Sequence, residues 1–173
     1  MKAQLQVMAV LACFVSAGVA QAATEVTVKN VHLCCGACVT GVKEALQDLD
    51  GVKFEASMKD KTVSITARDD AAAQKAIDSL AAAGFHGKVD SETLKFKPVE
   101  TPEGKVKRLQ VGGVHNCCGA CNKAIKGAIA KVDGVQADTA KPRESSFVVE
   151  GNFSAAELIE ALLDAGFHVK VEK

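Results

Sequence analysis

The stretch VHLCCGAC at residues 31–38 recurs as VHNCCGAC at residues 114–121, and this repeat decides how the rest of the chain is interpreted. Aligned over residues 31–52 and 114–135, the two copies share 12 identities in 22 positions. Each copy is long enough to form a small domain, whereas the units of a solenoid usually span ~20–50 residues. The sequence therefore predicts two similar domains in tandem.

A second repeated motif, AGFH at residues 83–86 and 165–168, lies near the end of each copy. The stretch between the copies contains Pro98 and Pro102, which favour a short, semi-extended linker. The predicted boundaries are 23–90 for the first domain, 91–105 for the linker and 106–173 for the second domain.

Both copies predict the same order of elements. Residues 25–31 alternate between polar and apolar side chains, which is typical of a half-buried strand. Apolar residues after Cys38 recur with helical spacing, and Gly51 ends that helix. Strands at 52–58 and 62–67, a helix at 70–83 and a short strand through Val89 complete the first copy. The second copy repeats this order at 106–111, 120–132, 135–140, 146–150, 154–165 and 168–172.

The order βαββαβ predicts an α+β fold: two tandem ferredoxin-like domains, each a four-stranded antiparallel sheet with both helices on one face. In this topology the last strand lies antiparallel beside the first strand. We therefore expect His86 close to the loop at 34–38 and His168 close to the loop at 117–121.

The cysteine loops carry the chemistry of the chain. Each loop joins a strand to a helix, where the helix dipole and free N–H groups favour thiolate over thiol. Cys35 and Cys38 have the two-residue spacing that lets both sulfurs bind one ion, and Cys34 adds a third sulfur. His32 and His86 could add nitrogen. The matching candidates in the second copy are Cys117, Cys118, Cys121, His115 and His168.

Sulfur ligands select soft metal ions. Two thiolates in near-linear geometry suit Cu(I) or Hg(II), and three thiolates with or without histidine suit trigonal Cu(I) or tetrahedral Zn(II). We expect Cu(I), with Zn(II) or Hg(II)/Cd(II) as alternatives, at up to one ion per domain. The sequence leaves open whether the two sites act independently or share one ion between the domains.

With these residues in place, each copy resembles a heavy-metal-associated domain, as found in copper chaperones, in the tails of metal-transporting ATPases and in periplasmic mercury-binding proteins. In that family an aliphatic residue that packs inward follows the second cysteine by four positions; Val42 and Ile125 stand there. The resemblance implies that the ligand pairs are Cys35/Cys38 and Cys118/Cys121. It also implies an exposed metal loop, the ferredoxin-like fold and metal transfer by ligand exchange with a partner.

The chain departs from the family pattern at the edges of the loop. Leu33 and Asn116 occupy the position where the family usually has methionine. The vicinal Cys34 and Cys117 are not part of the usual motif, and neither are the paired histidines. The metal and its coordination number therefore stay open.

The function predicted is an exported soft-metal-binding protein that buffers metal or hands it to a metal-transporting membrane protein or a metalloenzyme. No acid–base or nucleophile arrangement lies outside the Cys/His loops, so we do not expect an enzyme. The alternative is a thiol–disulfide redox protein or a thiol or metal sensor. Structural disulfides are disfavoured because each cysteine triplet spans five residues, so a bridge within it would close a very small loop.

The N-terminus predicts a secretory signal peptide at residues 1–22. An apolar stretch at 7–17 follows Lys2, and Ala20-Gln21-Ala22 has the small-x-small pattern of a cleavage site. The apolar run is short for a membrane span, so we expect a periplasmic or secreted protein without stable membrane insertion. The formal net charge of zero and the absence of Trp and Tyr argue against nucleic acid as a partner.

Overall fold

The computed structural model describes residues 22–172. The predicted signal peptide, including Lys2 and Cys13, lies outside these residues except for Ala22. The first domain comprises β1 (Thr24–Lys29), α1 (Gly36–Leu46), β2 (Val52–Ser57), β3 (Thr62–Ala67), α2 (Asp70–Ala82) and β4 (Lys88–Val89). The second comprises β5 (Lys105–Gly112), α3 (Gly119–Ile129), β6 (Val135–Asp138), β7 (Phe147–Ser154), α4 (Ala155–Asp164) and β8 (Lys170–Glu172).

Each domain contains one four-stranded antiparallel sheet, in the order β2-β3-β1-β4 or β6-β7-β5-β8. The first and last strands of each domain are neighbours, as the βαββαβ order requires. The predicted α+β class and element order are therefore confirmed in both copies. The helices and strands differ from the predicted bounds by a few residues, and the largest difference is β7, which continues to Ser154 instead of ending at residue 150.

The core of each domain lies between the sheet and its two helices. Along β1, Val26 and Val28 are buried while their neighbours are half-buried or exposed, which is the alternation that the sequence predicted. Ile77 and Leu80 of α2 are completely buried against this face. Burial of such aliphatic side chains contributes about 1.5–3 kcal/mol each.

Side-chain caps fix where the second helix of each domain begins. Ser154 accepts a hydrogen bond from the backbone N–H of Glu157 at 3.3 Å, and the spacing of these two residues is that of a capping box. Asp69 does the same for Ala72 at 2.7 Å in the first domain. These caps satisfy backbone donors that would otherwise lack partners at the helix N-terminus.

The two domains touch through the AGFH segments that close each copy. Phe85 and Phe167 form an antiparallel β-bridge. The backbone N–H of His86 donates to the carbonyl of Gly166 at 3.1 Å, and the N–H of His168 donates to the carbonyl of Gly84 at 3.0 Å. The two hydrogen bonds are related by exchanging the domains, so the interface has the approximate twofold symmetry of the sequence repeat.

The segment between the domains follows α2 instead of extending freely into solvent. The Gln74 side chain donates to the carbonyl of Lys95 at 2.9 Å, and Lys97 pairs with Asp78 at 2.6 Å. Leu94 is buried and packs against the core. These contacts hold the segment close to the interface. Within residues 22–172, none of the helices has the length and apolar character needed to cross a membrane.

Candidate metal centre

Backbone contacts place the two cysteine loops. In each copy the residue that begins the motif donates its N–H to the carbonyl at the end of a β-hairpin: Val31 to Lys61 at 3.0 Å, and Val114 to Ser145 at 3.1 Å. Cys35 and Cys118 are the N-cap residues of α1 and α3, so Cys38 and Cys121 lie in the first helical turns, as predicted. The third cysteine of each triplet is therefore held by a helix, and the first two by the loop before it.

The six cysteine sulfurs of the described chain meet in one cluster between the domains, which is named the thiol cluster below. All six are free thiols. Across the interface, the Sγ of Cys34 lies 3.4 Å from that of Cys121 and 3.6 Å from that of Cys118. The separations among the remaining sulfurs include Cys35–Cys117 and Cys38–Cys117 at 3.7 Å and Cys38–Cys121, Cys35–Cys38 and Cys118–Cys121 at 3.8 Å.

The thiol cluster is buried at its centre and open at its edge. Cys38 and Cys121 are fully buried, whereas Cys34 is exposed and the other three residues are half-buried. Sets of three ligand atoms that lie within 4.8 Å of one another occur both within and across the domains. These sets consist of cysteine and histidine alone, which is the donor chemistry of a soft metal site.

The two buried cysteines affect each other's titration. The contact between the Cys38 and Cys121 sulfurs at 3.8 Å lowers the pKa of Cys38 and raises the pKa of Cys121. The lowered pKa of Cys38 has the direction that we expected for a helix N-terminus, but its main cause is the contact with Cys121, and Cys121 at the matching helix position shifts the opposite way. At the edge of the cluster, the backbone N–H of Cys121 lowers the pKa of Cys118 to about 6. Within the cluster, the pKa is therefore lowered at Cys38 and at Cys118.

His32 and His115 reach across the interface. His32 stacks on Phe167 with ring centroids 4.5 Å apart, and His115 stacks on Phe85 at 4.3 Å. A nitrogen of His32 lies within 4.8 Å of the sulfurs of Cys34 and Cys121. The Nε2 atoms of both histidines are buried without a hydrogen-bond partner. A buried imidazole nitrogen without a partner is costly unless something binds it, so both residues suit a ligand role.

His86 and His168 pair with each other. Their Nδ1 atoms are 3.3 Å apart, and the ring of Phe96 from the interdomain segment covers both, with centroids 4.4 Å from His86 and 5.8 Å from His168. Burial, followed by the charge of His168, lowers the pKa of His86 to about 4, and burial lowers the pKa of His168. The sheet topology led us to expect each histidine near the cysteine loop of its own domain. The structure shows each in contact with the other domain.

The positions that carry the family resemblance pack as expected. Val42 and Ile125, four residues after the last cysteine of each triplet, are completely buried. Leu33 is buried too, and Asn116 is the buried polar residue at the equivalent position of the second domain. These buried residues hold each loop against the core of its own domain, and the cysteine sulfurs lie at the interface between the domains.

Sequence reasoning found every cysteine and histidine of this centre but not their common location. It missed Phe85, Phe167 and Phe96, which hold the histidine rings. Phe85 and Phe167 are also buried, so they belong to the hydrophobic core as well. The signal that could have found the interface is the repeated AGFH, because both a phenylalanine and a histidine at matching positions contact the other copy.

Comparison with known proteins gives one family match. Residues 108–168 match the family model described as the heavy-metal-associated domain. This segment contains the second cysteine triplet with His115 and His168, so the resemblance drawn from the sequence is confirmed there. The first domain has the same motif and the same strand order.

Two solved structures are similar to the chain at low identity. One contains the N-terminal soluble domains of Bacillus subtilis CopA, with 20% identity, 88% of this chain and 95% of that chain covered, and a TM-score of 0.32. The other contains the first two RRM domains of the yeast poly(U)-binding protein Pub1, with 12% identity, 86% and 98% covered, and a TM-score of 0.24. Neither likeness assigns a function to this chain.

Proposed function

We propose that this chain is a soft-metal-binding protein that holds its cargo in the thiol cluster and buffers it or passes it on. The observation that carries the proposal is the convergence of six free thiols, Cys34, Cys35, Cys38, Cys117, Cys118 and Cys121, at one interface. Thiolates in a partly dry site bind soft cations strongly. The match of residues 108–168 to the heavy-metal-associated domain supports the same function.

The proposed cargo is Cu(I), with Zn(II) and Hg(II)/Cd(II) as alternatives. The candidate ligand sets contain sulfur and imidazole nitrogen without carboxylate, which favours a soft ion over Mg²⁺ or Ca²⁺. The unpartnered Nε2 atoms of His32 and His115 would accommodate an ion that prefers a mixed sulfur and nitrogen set, such as Zn(II).

Handover would begin at the open edge of the thiol cluster. Cys34 is exposed and Cys118 is half-buried with a lowered pKa, so an incoming thiolate of a partner can reach a metal ion there. Ligand exchange through such mixed intermediates needs no catalytic acid or base. We therefore propose a non-enzymatic carrier whose partner is a metal-transporting membrane protein or a metalloenzyme.

The proposed location is the periplasm or the extracellular space. The support is the sequence pattern at residues 1–22, where an apolar stretch precedes a small-x-small cleavage site. In an oxidising compartment, bound metal would protect the thiols from disulfide formation. Expression of the full chain, followed by fractionation and N-terminal sequencing, tests this: a mature N-terminus at Ala23 supports export.

Metal loading tests the central proposal. The protein is purified without oxygen, loaded with Cu(I), desalted and analysed for copper and protein. We expect at least one ion per chain, and we expect a Cys35→Ser/Cys118→Ser variant to lose most of it. Circular dichroism of the variant controls for folding. A wild-type chain that leaves the column free of copper, and of zinc in a parallel loading, contradicts the proposal.

The second candidate is a thiol–disulfide redox protein. Its specific support is Cys118, whose pKa is lowered to about 6 and which lies 3.8 Å from the sulfur of Cys121. Such a pair could reduce a partner disulfide while becoming a disulfide itself. Turnover of insulin disulfides with dithiothreitol as the final reductant, by protein kept free of metal, would favour this candidate over the carrier.

A further inference from the structure

The six sulfurs of the thiol cluster can be divided into two sets of three in more than one way. One division has sulfur separations of 3.4–3.8 Å throughout: Cys34 with Cys118 and Cys121, and Cys117 with Cys35 and Cys38. In this division, a Cys-x-x-Cys pair from one domain is completed by the vicinal cysteine of the other. In the alternative within the first domain, Cys34–Cys38 and Cys35–Cys38 are also 3.7 and 3.8 Å apart, but the vicinal pair Cys34–Cys35 meets only the wider limit of 4.8 Å.

These separations suit one metal ion per set. A metal–sulfur bond of about 2.3 Å requires sulfurs about 3.8 Å apart in tetrahedral geometry and about 4.0 Å apart in a planar trigonal site. The set of Cys117, Cys35 and Cys38, with separations of 3.7–3.8 Å, needs almost no movement to reach the tetrahedral value. The other set must open by a few tenths of an ångström between Cys34 and Cys121, which are 3.4 Å apart.

Like the vicinal cysteines, His32 and His115 lie near the Cys-x-x-Cys pair of the opposite domain. His32 comes from the domain that supplies Cys34, and its ring nitrogen lies within 4.8 Å of both Cys34 and Cys121. His115 comes from the domain that supplies Cys117; its ring stacks on Phe85 of the first domain and interacts with the side chain of Cys38. Each domain thus presents one histidine and one cysteine to the Cys-x-x-Cys pair of the other.

We propose that the two domains exchange ligands, so that the chain has two metal sites and each is built from both domains. One site uses Cys34, Cys118 and Cys121 with His32 beside it, and the other uses Cys117, Cys35 and Cys38 with His115 beside it. This inference rests on the proposed metal-binding function and deepens it. It gives Cys34 and Cys117, which the family motif does not contain, the role of the third ligand in the opposite domain.

Building each site from both domains affects how a metal ion is released. An ion held by one domain alone can leave without moving the other domain, whereas an ion in a crossed site holds the domains together. Removing the third ligand then requires the interface to loosen or a partner thiolate to replace Cys34 at the exposed edge. Metal occupancy and domain docking are therefore linked in this chain.

The unmodified chain provides the first test. It is loaded with ¹¹³Cd(II), and proton–cadmium correlation spectra identify the cysteines bound to each ion through their β-protons. We expect two cadmium signals, one coupled to Cys34, Cys118 and Cys121 and the other to Cys117, Cys35 and Cys38. A signal coupled to Cys34, Cys35 and Cys38 together overturns the crossing while leaving metal binding intact. Absence of bound cadmium, copper and zinc overturns the proposed function itself.

Matched variants provide the second test. In a Cys35→Ser/Cys38→Ser background, Cys118 and Cys121 still form a Cys-x-x-Cys pair, and either Cys34 or Cys117 can supply the third sulfur. We expect an added Cys34→Ser to weaken Cu(I) binding about 10-fold or more, and an added Cys117→Ser to change it much less. Competition with a chromophoric Cu(I) ligand measures both. The reverse ranking, or equal losses, overturns the crossing.

Discussion

The two domains carry the same cysteine motif but support it differently at the residue before the triplet. In the first domain this residue is Leu33, which is buried among apolar side chains. In the second domain it is Asn116, whose side-chain amide donates to the carbonyl of Lys141 at 2.7 Å and to Asn122 at 3.1 Å. The backbone of Arg143 also donates to the Asn116 carbonyl at 2.7 Å.

The connections between the second and third strands of the two domains differ as well. β2 and β3 are joined by a tight turn at 58–61, whereas β6 and β7 are joined by a longer loop at 139–146. A longer loop has more backbone groups that need hydrogen-bond partners. Asn116 is the partner of two of them, the carbonyl of Lys141 and the N–H of Arg143. The comparison teaches that the residue below the cysteines is fitted to its own domain, while the position of the sulfurs is set by features that the two domains share.

The shared feature with the largest expected effect is the close approach at Gly84 and Gly166. Both residues have positive φ, +83° and +89°. A Cβ on Gly84 would meet the backbone of His115 and Gly113, and a Cβ on Gly166 would meet the backbone of His32 and Asn30, all closer than 3.0 Å. We expect Gly84→Ala and Gly166→Ala each to lower the free energy of unfolding by about 3 kcal/mol or more, measured by urea denaturation.

Gly104→Ala is the matched control for this prediction. Gly104 has a similar φ of +73° but open space around its Cβ position, so the variant should show the backbone strain alone, about 1 kcal/mol. If Gly84→Ala and Gly166→Ala cost no more than this control, the domains do not dock in solution as they do here. Unequal losses at the two glycines would show that the interface is less symmetric than the sequence repeat.

The second prediction exchanges the residues that differ between the domains. Leu33→Asn places an amide in an apolar site, and we expect a loss of about 2–5 kcal/mol in the free energy of unfolding. Asn116→Leu removes two donated hydrogen bonds but also a buried Oδ1 atom that has no partner, so we expect a smaller loss of about 1–2 kcal/mol. Thermal or urea unfolding of both variants measures the difference.

The control for the exchange is Asn116→Asp, which keeps the shape but replaces the Nδ2 donor that faces the Lys141 carbonyl. We expect it to be more destabilising than Asn116→Leu, because it places acceptor against acceptor. A loss for Asn116→Leu that equals the loss for Leu33→Asn would contradict the idea that each residue is fitted to its own domain.

Much of each domain could be predicted from the sequence because its signals are local. Alternation in β1, the Ser154–Glu157 capping box and the helical stripe containing Val42 all report on contacts within one copy. The repeat also showed that six cysteines and four histidines belong to two matching sites. These predictions use periodicity and spacing, which the fold of a single domain determines.

The docking of the domains could not be predicted in this way. The residues that form the interface include Gly84, Phe85 and His86. Their sequence pattern is also that of an ordinary connection between a helix and a strand of one domain. Their contacts depend on the surface of the other domain, which no periodicity within a copy describes. The sheet topology located His86 at one end of its own sheet, and the partner found there, His168, comes from the other sheet.

The smallest expected effect concerns the pH dependence of the His86–His168 pair. Burial, then the charge of His168, lowers the pKa of His86 to about 4, while Asp164 opposes the shift; an unfolded histidine titrates near 6.5. The unfolded chain therefore binds more protons between these values, so the free energy of unfolding falls as pH decreases through this window. Because the pair is partly exposed, we expect the loss at pH 5 to stay below about 2 kcal/mol. Urea titrations of metal-free, reduced protein between about pH 4.5 and about pH 7.5, a range that spans these pKa values, measure the loss. His86→Asn is the comparison, and an equally steep profile in that variant would show that other groups cause the loss.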